Sequence, residues 1–268
     1  MQVKPLAVTI FLTLSSLSLW SQYPASSPVP SPTESPLPTL ASTLAPVPVP
    51  TPVASPWPLP PLDFFIQHSA PPPKPQSFRD RLDVQDVIAR QGQLTQAVLD
   101  HVQWSYTFDV FSFSEVLGPN FNAHRYPKTN AFFKNVAMEA NWVITGLKDH
   151  YQRLRPFQAY PALIHLYVRN EPGFGYPSGH TARSRLYAYI LSYLDPAKRR
   201  AFLNSAEQVG VDRILAGEHY QTDLEAGRKL GKLLFYTLMK DPSFRQDLAT
   251  LSAQEWPQSE PAMVPHSQ

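Results

Sequence analysis

From Asp63 onward, apolar residues recur at helical rather than strand spacing. Across Phe78–Tyr106 they fall at Leu82, Val84, Val87, Ile88, Leu94, Val98 and Val102, close to a period of 3.6, which predicts a helix or a helix pair. Val110–Leu117 is a short apolar segment leading into a loop over Gly118–Pro127. A second long helical pattern covers Lys128–Arg153 and is stopped by Pro156. Phe157–Tyr176 carries Pro161, Pro172, Gly173 and Gly175 and reads mostly as loop. Further helices are predicted over Gly179–Leu194, over Pro196–Leu215 with proline at its start, and over Gln221–Met239. Asp241–Ala253 predicts a last short helix, with Asp241 as N-cap and Pro242 in the first helical position. Almost nothing alternates with period two. The expected fold is all-α, a helical bundle over residues 63–268.

The pattern upstream is different. Lys4 precedes an apolar run of fifteen residues, Leu6–Trp20, so residues 1–21 read as a signal peptide or a signal anchor. Small residues at Ser21 and Ala25–Ser27 place cleavage between Ser21 and Ser27, with an uncleaved anchor as the alternative. Residues 22–62 are rich in Pro, Ser, Thr and Val, and Glu34 is their only charge. Such text favours polyproline II, a solvated spacer of at most roughly 130 Å. Of 30 prolines, 18 lie between Pro24 and Pro75, and that segment is expected to stay outside any packed core. Absence of cysteine excludes disulfides, thiolate metal sites and a Cys nucleophile. A net charge of +2 with both signs interspersed excludes an electrostatic nucleic-acid binder. Only the N-terminal run approaches a membrane span, so membrane contact is expected only through an uncleaved anchor.

Three clusters carry candidate chemistry. Lys148 and Arg155 are seven residues apart, a spacing that puts both cations on one helical face where they can converge on an anion. Tyr176-Pro177-Ser178-Gly179-His180-Thr181 opens a predicted helix. Free N–H groups there form an anion site, Gly179 permits close approach, and Ser178 can cap and donate. His180 would stand beside the bound anion, placed to give a proton. In Arg213-Ile214-Leu215-Ala216-Gly217-Glu218-His219-Tyr220-Gln221-Thr222-Asp223, His219 and Asp223 are neighbours at i and i+4. A carboxylate on one ring nitrogen would leave the other as a nucleophile. Taken alone, each cluster also has an ordinary structural reading.

In order, Lys148-x6-Arg155-Pro156, Pro177-Ser178-Gly179-His180 and Arg213-x5-His219-x3-Asp223 resemble the signature of the type 2 phosphatidic acid phosphatase superfamily, the haloperoxidase-like fold. Flanking text such as Val116-Leu117-Gly118-Pro119 and Asp223-Leu224-Glu225-Ala226-Gly227-Arg228 resembles the bacterial class A non-specific acid phosphatases. The resemblance covers roughly Pro71 to Leu251. It implies that Lys148, Arg155, Ser178, Gly179 and Arg213 hold phosphoryl oxygens, that His219 attacks phosphorus, that His180 protonates the leaving alcohol and that Asp223 orients His219. It implies no metal and no cofactor, small phosphate monoesters as the partners, and a periplasmic or secreted location; a homo-oligomer is left open. Two alternatives stand beside it, a vanadate-dependent haloperoxidase on the same cradle and a non-catalytic Pro-rich envelope protein. Asp212 stands where the family usually has Ser, so its carboxylate must face away from the site or pair with a cation. Leu215 stands near a position where many relatives carry cysteine. His68, His101, His124, His150, His165 and His266 read as structural or surface, with His150 the one expected to line the pocket.

Overall fold

The computed structural model describes residues 56–170 and 172–256. The expected signal segment, residues 22–55 of the expected spacer, and His266 lie outside the described residues. Ten α-helices follow in order: α1 Leu62–Gln67, α2 Phe78–Gln91, α3 Gln96–Trp104, α4 Ser114–Leu117, α5 Pro127–Tyr151, α6 Pro156–Ala159, α7 Gly179–Leu194, α8 Arg199–Leu215, α9 Gln221–Leu238 and α10 Pro242–Glu255. Among the described residues there is no strand, and the fold is all-α as expected.

Local chemistry sets the boundaries. The apolar run from Phe78 divides in two at Gly92, and Thr95 starts α3 by accepting the Val98 N–H. Ser77, Ser178 and Asp241 cap α2, α7 and α10 in the same way. α5 begins on Pro127 and ends earlier than expected, because Gln152 takes a left-handed conformation (φ 50°) that closes the last turn. Ahead of α8, the expected single helix from Pro196 is a 3-10 turn, Pro196–Lys198.

α7 is the centre of the bundle. Twelve of its sixteen residues are buried, including Leu186, Ile190 and Leu191, and it packs chiefly on α9 and α8, with α5 alongside. α9 comes to backbone contact with the first half of α7. A Cβ on Gly227 would lie 2.7 Å from the Ser178 carbonyl oxygen, and one on Gly231 would lie 2.5 Å from that of Ala182. This contact holds the starts of the two helices together, and the candidate chemistry is carried there.

One expectation is corrected. Trp57 lies inside the expected spacer, yet it is only 1% exposed. Its ring packs on Phe132 of α5 and Phe244 of α10 at centroid distances of 5.0 and 4.9 Å, and its Nε1–H donates to Asp247 Oδ2 at 2.8 Å. Burying an aromatic of that size stabilises the fold by about 2–3 kcal/mol. The segment after α1 is also fastened: Tyr151 and Tyr176 hydroxyls donate to the Ser69 and Ala70 carbonyls at 3.1 and 2.6 Å. Low hydropathy hid these contacts, because a few anchored residues suffice to seat a proline-rich strap.

Candidate active site

A cavity of about 360 Å³ opens where the end of α5, the start of α7 and the α8–α9 loop meet. Lys148, Arg155, Gly179, His180 and His219 all line it. The reason given by spacing for the first pair is wrong, however. Lys148 is on α5, but the helix ends at Tyr151 and Arg155 belongs to the following turn, as the N-cap of α6. The two cations meet because the chain folds back, not because they share a helical face.

Ser178, fully buried, caps α7: its Oγ accepts from Thr181 N–H at 3.4 Å and from Thr181 Oγ1–H at 3.0 Å. Gly179 fits closely, since a Cβ there would come within 3.2 Å of Ile144. The first turn of α7 therefore presents its free N–H groups to the cavity.

His219 lies before α9, and Asp223 is the third residue of that helix, so the pair straddles a helix start rather than successive turns of one helix. Asp223 Oδ2 accepts the Tyr220 N–H at 2.9 Å and faces His219 Nδ1 at 3.3 Å. The loop reaches this position through Gly217, whose φ of 80° and contact with the His165 carbonyl leave no room for a side chain. His219 Nε2, 3.5 Å from Arg155 Nη1, is left to the cavity.

Burial and nearby cations disfavour the charged form of both rings. Burial first, then Arg155, Lys148 and Arg213, pushes His219 well below the usual imidazole range. Burial, Arg183 and Arg213 do the same to His180, whose Nε2 lies 3.0 Å from the Tyr106 carbonyl oxygen and donates to it. Burial pushes Asp223 up to about 6, against the downward pull of Arg153.

Several residues essential to this geometry were not singled out from the sequence. Glu218, 1% exposed, spans the two arginines of the cradle, with Oε1 3.4 Å from Arg155 Nη1 and Oε2 3.3 Å from Arg213 Nη1. Arg213 Nη2 donates to the Val102 carbonyl and Ser105 Oγ, both at 2.7 Å, so it is fixed from α3. Arg153 donates through Nη1 to Asp223 Oδ1 at 2.6 Å, and through Nη2 to Asp80 and Asp83 of α2 at 3.0 and 2.9 Å. Thr222 is tied to Asp83 and to Arg153, and the Arg153 guanidinium stacks over Tyr220.

His150, expected to line the pocket, is exposed and rests on Tyr151 instead. Asp212 is buried and directed to α3, with Oδ2 3.0 Å from His101 Nδ1 and Oδ1 accepting from Gln208. Its carboxylate faces away from the cavity, one of the two arrangements expected for it.

The all-α domain gathers Lys148, Arg155 and two histidines around one cavity. Residues 132–247 match the model of the PAP2 superfamily. The chain is 33% identical over 144 residues to a non-specific acid phosphatase of Salmonella typhimurium, covering 51% of this chain and 56% of that protein. It is 28% identical over 142 residues to a non-specific acid phosphatase of Providencia stuartii, covering 51% and 57% respectively. The chain thus spans a little over half the length of these curated relatives. The crystal structure of a transmembrane PAP2 type phosphatidylglycerolphosphate phosphatase from Bacillus subtilis aligns with a TM-score of 0.43 at 19% identity, over 60% of this chain and 85% of that one. Among the described residues of this chain, no helix is long and apolar enough to cross a membrane.

Proposed function

We propose that the protein is an exported acid phosphatase that hydrolyses small phosphate monoesters through a phosphohistidine on His219. The observation that carries this reading is the meeting of Lys148, Arg155, the α7 N-terminus, His180 and His219 on one cavity, with His219 backed by Asp223. Phosphoryl transfer asks chiefly for positioning and for neutralisation of equatorial charge. Lys148 and Arg155 at the cavity, Arg213 behind Glu218, and the N–H groups following Ser178 supply both.

In the first step His219 Nε2 attacks phosphorus. A P–N bond forms as the P–O ester bond breaks, and the leaving oxygen takes its electron pair and a proton from His180. Phosphate charge beside His180 raises its pKa in the complex, which supplies that proton. In the second step water attacks phosphorus, the P–N bond breaks and water's proton passes to His180. Asp223 keeps the Nδ1 proton in place throughout. Export rests on the apolar run at residues 6–20, and the chain is similar to non-specific acid phosphatases of Salmonella typhimurium and Providencia stuartii.

Full-length protein assayed in parallel with p-nitrophenyl phosphate and with halide plus peroxide tests the reading. Phosphate release that vanadate inhibits and EDTA leaves intact is expected. Halide oxidation without ester hydrolysis, or EDTA inactivation reversed by a divalent metal, would overturn it. N-terminal sequencing of protein recovered outside the cytoplasm tests export, and full-length protein confined to the cytosol would refute that part.

A further inference from the structure

Arg183 follows His180 by three residues on α7, so the two side chains leave the same side of the helix one turn apart. Arg183 lines the catalytic cavity and also a second cavity of about 320 Å³ beside it. Its Nη1 donates to Asn141 Oδ1 at 2.8 Å, and Asn141 borders both spaces as well. This pair is the partition between them. Beyond it, Phe108, Phe133 and Tyr187 form apolar walls, and Asp109, Lys134 and Asn130 supply the polar groups. Lys134 stands seven residues before Asn141 on α5, on the same face. Among the described residues no carboxylate reaches ion-pair distance of Arg183; Asp109 is the one carboxylate lining the second cavity, and Asp149 the one lining the catalytic cavity.

The direction of departure follows from the proposed chemistry, on which this inference rests. In-line displacement sends the leaving oxygen away from His219 and toward His180. The alcohol then extends past His180 to Arg183 and into the second cavity. We infer that Arg183, supported by Lys134, is a specificity-determining residue that selects phosphate monoesters whose alcohol carries a second anionic group close to the ester oxygen. Asn141 fixes the guanidinium toward that group, and the aromatic walls accept the alcohol's apolar part. Neutral alcohols would leave Arg183 to water.

The test compares kcat/KM for meta-carboxyphenyl phosphate and meta-carbamoylphenyl phosphate, which differ in charge but little in shape, using the full chain. The anionic ester should be preferred by about tenfold, the worth of one partly screened charge-assisted contact. Arg183→Gln should bring the ratio to about one, Arg183→Lys should keep part of it, and Lys134→Gln should lower it about twofold, as befits a more exposed charge. The ratio is the readout because Arg183 also acts on the neighbouring His180. A ratio of one in the unaltered protein, or a ratio that survives Arg183→Gln while both rates fall together, would overturn the inference and leave the phosphatase reading standing. Should Arg183→Gln fail to fold, the other two variants decide by the same ratio. Failure to turn over either ester would overturn both.

Discussion

Arg153 and Arg155 stand on either side of Leu154, directly after α5, and their surroundings differ in almost every respect. Arg153 is enclosed by Asp80, Asp83 and Asp223 and capped by the face of Tyr220. Burial pulls its guanidinium down, but Asp223, Asp83 and Asp80 more than restore it, so it stays charged. Arg155 meets the cavity beside His219, with Glu218 at the looser distance of 3.4 Å. One cation is held by three carboxylates outside the cavity and supports the architecture; the other lines the cavity beside His219. Sequence position does not separate such roles, whereas placement relative to the cavity does.

That contrast breaks most severely at His219, which Arg155 approaches at one ring nitrogen and Asp223, held by Arg153, at the other. His219→Ala should lower turnover by at least about four orders of magnitude and abolish the covalent phospho-enzyme, since a nucleophile has no substitute. His180→Ala should retain more activity toward aryl phosphates than toward alkyl phosphates. Rapid-quench labelling with a radioactive ester checks both; label held by His219→Ala but missing from His180→Ala would reverse the roles.

Replacing each arginine by glutamine tests the contrast itself. Arg153→Gln strands three buried carboxylates and should cost about 3–5 kcal/mol of stability. Arg155→Gln should cost less stability, about 1–2 kcal/mol, while reducing kcat/KM by about 10²–10³. Denaturant melts and steady-state kinetics on the pair decide. Equal loss of stability in the two variants would erase the distinction.

Acid sharpens it further. His180 and His219 have folded pKa values below the unfolded value near 6.5, so the unfolded chain takes up protons first as pH falls. Their stabilising effect is complete above about 6.5 and is lost progressively below it. Asp223, raised to about 6 from 3.8, and Asp83, raised by burial, work in the opposite sense, but the two imidazoles begin to lose their effect at a higher pH. Thermal unfolding temperature should therefore fall between about pH 7.5 and pH 5, and inorganic phosphate should recover more of it at the lower pH by favouring protonated His180. A flat profile, or a rise on acidification, would contradict this.

The smallest effect is expected at Asp212. Directed to His101 and Gln208 rather than the cavity, it should tolerate Asp212→Ser with kcat/KM within about twofold and a stability loss of about 1–2 kcal/mol from the lost buried contact. A collapse of turnover would assign it a role in the chemistry.

The helices and the cavity-lining side chains were legible because each rests on local text: capping residues, helical periodicity, and three short motifs. What remained hidden is tertiary. Asp80 and Asp83 lie some seventy residues from Arg153, and two carboxylates at i and i+3 ordinarily mark a solvated helix face. Glu218 did carry a signal, a carboxylate next to the candidate nucleophile inside a cationic motif. The spacing of Lys148 and Arg155 pointed to the right pair through the wrong geometry, because nothing local announced that Gln152 would turn left-handed. Trp57 was concealed by composition averaged over its neighbours.

Trp57 also decides how the domain would bear a mechanical load. A pull applied to the chain just upstream of it meets first the ring clamped between Phe132 and Phe244 and the tether to Asp247, and so is passed to α10 and the N-terminal part of α5. His180 is carried by α7 and His219 by the loop before α9. Tension on the leading segment therefore enters the body at a point separate from the segments that hold the two histidines.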